Sequence, residues 1–399
     1  MALQFAVVAV VTRALDAPNA GDYFVVMGVV LATYFAAGLG LPDGVVRAAP
    51  AITAQGMNSR AQSLLNQSMK YSLAAVPIGA GFAGTAIAFY VGDTYVGLAT
   101  GAWWASYGSI FVCAQTLVAS GRGELGTAVF YSAANVGQIL VTVPLILVAE
   151  LHSLVAVLMA TAAGTALAAV ACLVVTARLC IRHGAVSTPL AATWKQGCTI
   201  AFGRIVQAGL IWSPVFVASF VLTPSDTAHI GLAVRLVSAV AAVIAAIRFS
   251  IRPSLARDAA LGRWADIARK SSKIAFATTS LALVAIAAAA TVGPYAVSII
   301  FGNSFREAAT VTAIMLIGTL GESIGGPVDE VLRMAGQTTE VLVVQLLAFT
   351  VGIGAQFILG SQLGMFALVS CYSTTFVGLY VWFVIRLRLL HGIWIVPRP

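Results

Sequence analysis

The chain has 399 residues, of which 60% are hydrophobic and only 9% are charged. A soluble domain carries about 25% charged residues, so the composition excludes a water-soluble globular protein and indicates a membrane protein. The formal net charge of +8 does not indicate nucleic-acid binding, because the basic residues are distributed over loops between apolar segments.

Twelve apolar segments separated by polar turns predict an all-α polytopic membrane protein with about twelve transmembrane helices. The predicted segments are 1–13, 23–41, 71–91, 95–119, 127–149, 154–177, 199–222, 229–251, 273–292, 308–327, 340–360 and 364–386. Helices fit because they satisfy their own backbone hydrogen bonds within lipid. The first segment is shorter than the roughly 20 residues that cross a bilayer. We therefore expect a truncated first helix, which would result if the start codon of the gene were assigned too late.

The placement of basic residues predicts the orientation. Of the 22 Lys and Arg residues, 18 fall in the tail or in loops on one side of the predicted helices. Only Arg13 and Arg306 fall on the other side, whereas Arg204 and Arg235 lie inside apolar segments. Cytoplasmic loops are enriched in Lys and Arg, so both termini are predicted to be cytoplasmic.

The two halves of the chain show weak internal similarity. A shift of 203 positions aligns Arg60 with Arg263 and Lys70 with Lys273, and a shift of 215 aligns Gly121 with Gly336. We therefore predict two duplicated six-helix lobes, 1–177 and 199–399, joined by a cytoplasmic linker at 178–198. The charged stretch GRWADIARKSSKIA at 262–275 is predicted to be an amphipathic helix on the membrane surface or a solvated loop.

The segment GDYFVVMGVVLATYFAAGLGLPDGVVR at 21–47 resembles the second helix of Wzx-type polysaccharide and oligosaccharide flippases. These belong to the multidrug/oligosaccharidyl-lipid/polysaccharide exporter superfamily. The matching features are Gly21 and Tyr23 at the start, Gly40 and Leu41 near the end, and Arg47 at the cytosolic exit. The small loops GRGELG and AGQTTE fit the same pattern.

The resemblance implies a transporter and not an enzyme. Such proteins move a polyprenyl-diphosphate-linked oligosaccharide from the inner to the outer leaflet of the bacterial inner membrane by alternating access. The implied partners are the lipid-linked glycan, membrane lipids, and a glycan polymerase and glycosyltransferases of the same pathway. No cofactor is implied, and the five cysteines show no metal-binding spacing.

Ionisable residues inside apolar segments are the candidate site residues, because charges within a membrane are costly and usually functional. Arg204 is predicted to bind the diphosphate, or alternatively to extend to the cytosolic headgroups. Arg235 is predicted to face a substrate cavity, with a buried ion pair as the alternative. Arg13, Arg47 and Arg252 are second-rank phosphate ligands, and the last two could instead set the topology.

Glu322 lies in a segment rich in Gly and Pro, IMLIGTLGESIGGPVDEV, where we expect the helix to bend or break. An acidic side chain on a distorted helix could bind the proton or cation that drives transport. Alternatively, Glu322 pairs with Arg204 or Arg235 and stabilises the structure. The sequence does not separate these two interpretations.

Other functions remain open at this point. A peptidoglycan-precursor flippase would share the cationic cavity, and a drug/cation antiporter would need more acidic residues within its helices. An unrelated twelve-helix transporter is disfavoured because VVRAAPAITAQG lacks the GxxxDRxGRR-like loop. A membrane glycan polymerase or ligase would need a large outer loop with catalytic groups, and the longest outer loop has no His.

Overall fold

The computed structural model describes residues 2–180 and 190–398, and within them all side chains except those of residues 2, 54, 249, 250, 252, 253, 256, 257 and 260. The middle of the predicted linker, including Arg182, lies outside the described residues. Helices account for nearly all of the described chain, which contains no strand. The helices are α1 Ala2–Ala14, α2 Ala17–Thr33, α3 Leu41–Ala54, α4 Asn58–Val91, α5 Thr94–Ala119, α6 Gly123–Gly137, α7 Val143–Ala149, α8 Leu154–Cys180, α9 Ala191–Val221, α10 Pro224–Ala260, α11 Trp264–Thr291, α12 Gly293–Phe301, α13 Ala308–Ile324, α14 Val328–Met334, α15 Thr338–Leu363 and α16 Met365–His391.

Among the described residues, ten helical segments are long and apolar enough to cross a membrane. α5 is also long, at 26 residues, but its Trp, Tyr, Gly and Ser content makes it less apolar, and most of it is buried inside the protein. The apolar helix α1 has only 13 residues, which agrees with the predicted short first helix. The structure thus confirms an all-α, polytopic membrane protein.

The chain divides into two compact units, Met1–Gly209 and Leu210–Pro399. The division falls inside α9, whose first part therefore belongs to the first unit and whose last part belongs to the second. The predicted lobes at 1–177 and 199–399 place their boundaries earlier in the chain, and their duplication stays a prediction.

Helix α5 forms the core of the first unit. Trp103 and Trp104 of α5 are both buried there. Trp103 stacks on Tyr23 of α2, with ring centroids 5.8 Å apart. The indole nitrogen of Trp104 donates a hydrogen bond of 2.9 Å to the hydroxyl of Thr33. Both tryptophans therefore hold α2 against α5, Trp103 through its ring and Trp104 through its hydrogen bond.

The core of the second unit is built from α10, α11, α14 and α16, where Leu255, Ile267, Val331 and Phe383 are buried together. The segment after α16 returns to this core, because Ile395 is buried against the same cluster. Trp264, at the start of α11, stacks on His391 with ring centroids 3.8 Å apart. The end of the chain is therefore part of the second unit.

The second predicted helix is broken near its end. α2 ends at Thr33 and is followed by a short 3₁₀ turn, and α3 begins only at Leu41. Gly38, Leu39 and Gly40 between them all have positive φ, at 76°, 51° and 82°. Glycine tolerates this conformation, whereas it is strained for leucine. The break turns the chain so that α3 enters the site described below.

The two charged stretches found in the sequence are the first turns of long helices. Residues 59–72 lie within α4, and 264–275 lie within α11. The solvated loop expected at 262–275 is therefore wrong, and the expected helix there is the start of a longer one. Ile267 is buried, and Lys270 forms a salt bridge with Asp258 of α10. The stretch at 264–275 thus packs against its own unit.

Candidate functional site

Arg204 of α9 forms a salt bridge with Asp43 of α3, within the first unit. Its Nη2 atom lies 3.2 Å from Oδ1 of Asp43. The Asp43 side chain is 1% exposed, whereas that of Arg204 is 38% exposed. Gln115 of α5 also donates to Oδ1, at 3.4 Å. Oδ2 of Asp43 is buried and accepts no hydrogen bond from the part of the chain that the structure describes.

Two aromatic rings hold the guanidinium of Arg204. Its Cζ atom lies 5.7 Å from the centre of the Phe35 ring and 5.9 Å from that of Phe111. These distances are within the range of cation–π attraction, which strengthens when the cation is partly removed from water. Phe35 and Phe111 also contact each other edge to face. The rings restrict where Arg204 can move.

The helices that carry Asp43 and Arg204 approach each other through glycines. A Cβ atom added to Gly197 of α9 would lie 2.0 Å from the carbonyl oxygen of Gly40, and one added to Gly44 would lie 2.1 Å from that of Thr193. Such distances permit no side chain, so the two backbones are in direct contact. This contact brings the ion pair together from residues far apart in the sequence.

Glu322 forms a second ion pair, within the second unit. Nη1 of Arg248 in α10 lies 2.6 Å from Oε1 of Glu322. Nη2 of Arg248 also donates to the main-chain oxygen of Glu322, at 2.8 Å. The side chains are 7% and 21% exposed, respectively. The alternative that Glu322 forms an ion pair holds, but its partner is Arg248 and not Arg204 or Arg235.

The position of Glu322 at a helix end explains why Arg248 binds it twice. α13 ends at Ile324, followed by Gly325, Gly326 and Pro327, and α14 begins at Val328. The expected helix break is thus confirmed. The last carbonyls of a helix lack intrahelical partners and attract cations. Arg248 therefore caps the end of α13 by binding the main-chain oxygen of Glu322, and it also neutralises the Glu322 carboxylate.

Arg235 lies against an aromatic side chain inside the second unit. Its Cζ atom is 5.8 Å from the ring of Trp212 in the last part of α9. Both residues are buried. The adjacent Ser213 and Gln356 exchange hydrogen bonds of 3.2 and 3.1 Å and are also buried. Arg235 is therefore buried against Trp212, and its role in a substrate cavity stays a prediction.

Two of the second-rank arginines are exposed to the outside of the protein. Arg13 is exposed in the last turn of α1, and Arg47 is exposed on α3, one turn after Asp43. Arg252 belongs to α10, and its side chain lies outside the described set. Among the described residues, no group of three or more His, Cys, Asp or Glu could hold a metal ion.

Sequence reasoning missed Asp43 and Arg248. Asp43 is flanked by Pro42 and Gly44, which are typical of turns, so its sequence context does not indicate a buried acid. The missed signal was the motif GLGLPDG itself, whose glycines permit the backbone break that directs Asp43 inward. Arg248 follows a long apolar run and is one of the 18 basic residues counted on one side of the predicted helices, although an arginine so close to that run can also pair with an acid on a neighbouring helix.

No family model and no curated protein matches the chain. Solved structures with a similar fold do exist. An inward-facing multidrug resistance MATE family transporter of the MOP superfamily has a TM-score of 0.70 and 13% identity, over 97% of this chain and 94% of that one. The lipid II flippase MurJ, in an inward closed conformation, has a TM-score of 0.65 and 10% identity, over 93% and 86% of the two chains.

A third similar structure is a MOP superfamily transporter from Pyrococcus furiosus. Its TM-score is 0.63 at 10% identity, over 98% of this chain and 91% of that one, and its binding pocket is described as having reversed polarity. Identities this low show a shared fold and nothing finer. The helices of this chain thus adopt the fold of MOP superfamily transporters.

Proposed function

We propose that this protein is a membrane flippase that moves a polyprenyl-diphosphate-linked oligosaccharide from the inner to the outer leaflet by alternating access. The observation that carries the proposal is the environment of Arg204. Its guanidinium is partly exposed, held by two aromatic rings and balanced by a single buried acid. A guanidinium binds phosphate oxygens in a fixed geometry, so Arg204 suits a diphosphate ligand.

The fold is compatible with this activity, since one of the similar structures is a lipid II flippase. The resemblance of residues 21–47 to Wzx-type flippases points to an oligosaccharide rather than a peptidoglycan precursor. We place the protein in the bacterial inner membrane with both termini in the cytoplasm, because of the distribution of Lys and Arg. A glycan polymerase and glycosyltransferases of the same pathway would be its partners.

The second candidate is a drug/cation antiporter, since another similar structure is a multidrug transporter. A site for an organic cation or a coupling ion needs an accessible carboxylate. Asp43 and Glu322 are each bound to an arginine instead. An ion-coupling role for Glu322 requires that Arg248 release it during the cycle. These pairings favour an anionic substrate over a cationic one.

Glycan export is the test. A strain lacking the gene should regain surface polysaccharide with the wild-type protein and not with Arg204→Ala, Arg235→Ala or Glu322→Ala, at equal amounts of protein in the membrane. An Arg60→Ala variant, which removes an exposed arginine of α4 in the same unit, separates a general effect of charge from a loss at Arg204. Full export by the Arg204→Ala and Arg235→Ala variants would refute the assignment of these residues to the substrate.

The proposed orientation has a separate test. Cysteines introduced at Arg60 and Arg263, one in each unit, should react with a membrane-impermeant maleimide only after the membrane is opened. Both positions lie at the starts of long helices, α4 and α11, and are exposed. Labelling of either position in intact cells would overturn the orientation.

A further inference from the structure

Asp43 uses only one of its two carboxylate oxygens. Oδ1 lies 3.2 Å from Nη2 of Arg204 in a salt bridge and accepts a hydrogen bond of 3.4 Å from Gln115. Oδ2 is buried and has no hydrogen-bond partner in the part of the chain that the structure describes. A buried carboxylate oxygen without a partner destabilises the pair. Asp43 is therefore held mainly by its attraction to a positive charge and is poorly satisfied by its surroundings.

Arg204 is also only partly used. A guanidinium has five N–H donors, and the salt bridge to Asp43 is a single contact with one of its terminal nitrogens. The side chain is 38% exposed, so other donors can reach a ligand. Phe35 and Phe111 hold the guanidinium independently of Asp43. If the carboxylate were displaced, the arginine would keep its position.

A second arginine follows the same carboxylate on its helix. Arg47 comes four residues after Asp43 on α3, a spacing at which helical side chains are neighbours, and it is exposed. Asp43 thus has one arginine on its own helix and another, Arg204, on α9. An anion that displaced Asp43 from Arg204 would have to supply at least the same negative charge, because a buried or half-buried cation without a counter-ion is unfavourable.

This competition discriminates between anions. A phosphodiester headgroup carries one negative charge, so exchanging it for the carboxylate brings no electrostatic gain. A diphosphate carries more than one negative charge and can contact both arginines. We infer that Asp43 is an internal counter-anion that occupies the diphosphate site at Arg204 and Arg47, and that it excludes the singly charged phosphodiester headgroups of membrane lipids. The inference rests on the proposed function, and Asp43 is a residue that sets specificity rather than a ligand.

The inference predicts a gain of affinity on removal of an acid. We would measure the binding of radiolabelled farnesyl diphosphate to the purified full-length protein in detergent by equilibrium dialysis. A hydrogen bond to a charged group contributes enough to change affinity about tenfold, so Asp43→Asn should bind about tenfold more tightly than wild type. The double variant Asp43→Asn/Arg204→Ala should lose this gain.

The control is Asp266→Asn, which removes the same charge from the exposed pair of Asp266 and Arg269 on α11. Its affinity should equal that of wild type. If Asp43→Asn does not fold, as judged by circular dichroism, Asp43→Ser also removes the charge and has the same expected result. If Asp43 were a purely structural partner of Arg204, Asp43→Asn should bind farnesyl diphosphate more weakly than wild type, because loss of the carboxylate would loosen the site.

The possible outcomes separate the two proposals. If Arg204→Ala weakens binding and Asp43→Asn does not strengthen it, the counter-anion inference is overturned and the flippase proposal stands. If wild type and all variants fail to bind farnesyl diphosphate, the diphosphate substrate itself is refuted.

Two competitors complete the experiment. Phosphatidylglycerol, which is singly charged, should displace farnesyl diphosphate from Asp43→Asn more readily than from wild type, and equal displacement would overturn the exclusion of phosphodiesters. Inorganic pyrophosphate distinguishes the source of the ligand. If pyrophosphate binds at least tenfold more weakly than farnesyl diphosphate, the ligand is a lipid headgroup. If the two bind equally, the ligand is a free diphosphate. In both cases Asp43 competes with the ligand for Arg204.

Discussion

The pair of Arg248 and Glu322 should contribute strongly to the stability of the second unit, and the strength of their coupling can be measured. The perturbations are Arg248→Met, Glu322→Gln and the double variant. Arg248→Met removes both the ion pair at 2.6 Å and the bond to the main-chain oxygen at 2.8 Å. Glu322→Gln removes the charge but leaves the main-chain bond and an amide oxygen that can still accept.

The magnitudes follow from burial. Breaking a buried ion pair destabilises by about 3–5 kcal/mol. For Arg248→Met we expect the lower end of this range, about 3 kcal/mol, because the Glu322 side chain is 21% exposed and its carboxylate is therefore not fully desolvated. Glu322→Gln should lower the free energy of unfolding by about 2 kcal/mol. Because both variants remove the same ion pair, the double variant should be about 2 kcal/mol more stable than the sum of the single effects implies.

The assay is reversible unfolding in mixed micelles with increasing dodecyl sulfate, followed by far-ultraviolet circular dichroism. The exposed pair of Asp266 and Arg269 provides a matched cycle, Arg269→Met and Asp266→Asn, in which we expect little coupling because water screens both charges. Effects of Arg248→Met and Glu322→Gln that simply add would refute the reasoning, since they would mean that the two groups do not stabilise each other.

Two further predictions concern packing. Gly197→Ala places a Cβ atom 2.0 Å from the carbonyl oxygen of Gly40 and should lower the thermal unfolding temperature by several degrees. The control is Gly81→Ala, because Gly81 has open space around it, and this variant should leave the unfolding temperature unchanged or raise it slightly. Arg235→Lys replaces a planar cation on the Trp212 ring with a compact one and should reduce glycan export while preserving protein levels; normal export would show that the ring contact has no role in transport.

The sequence predicted those features that depend on local composition. Apolar segments predicted the spanning helices, and the run of Gly and Pro at 325–327 predicted the end of α13. The break after α2 was not predicted, although GLGLP carries the same kind of signal, because its apolar residues continue the pattern of the preceding helix. Local pattern alone does not say whether such a motif ends a helix at the membrane surface or interrupts it inside.

The ion pairs could not be predicted because they depend on which helix faces are in contact. Arg248 and Glu322 are 74 positions apart, and the helices carrying Asp43 and Arg204 are even further apart in the chain. The sequence identified Arg204 and Glu322 as unusual because a charge in lipid needs a partner. It did not identify the partners, since the backbone contact between Gly40 and Gly197 that positions one pair has no periodic signal.

The two ion pairs solve the same physical problem differently, and the difference bears on transport. Arg248 is almost fully buried, binds Glu322 through both side chain and backbone, and caps a helix; releasing it would leave several groups unsatisfied at once. Arg204 is partly exposed, binds Asp43 through one contact, and is held by rings that would stay in place without it. A ligand that must bind and leave in each cycle needs a site of the second kind. On the proposed function, exchange of anions belongs to the first unit, and the pair of Arg248 and Glu322 maintains the fold of the second unit. Removal of Asp43 should therefore tighten binding, whereas removal of Glu322 should weaken the structure.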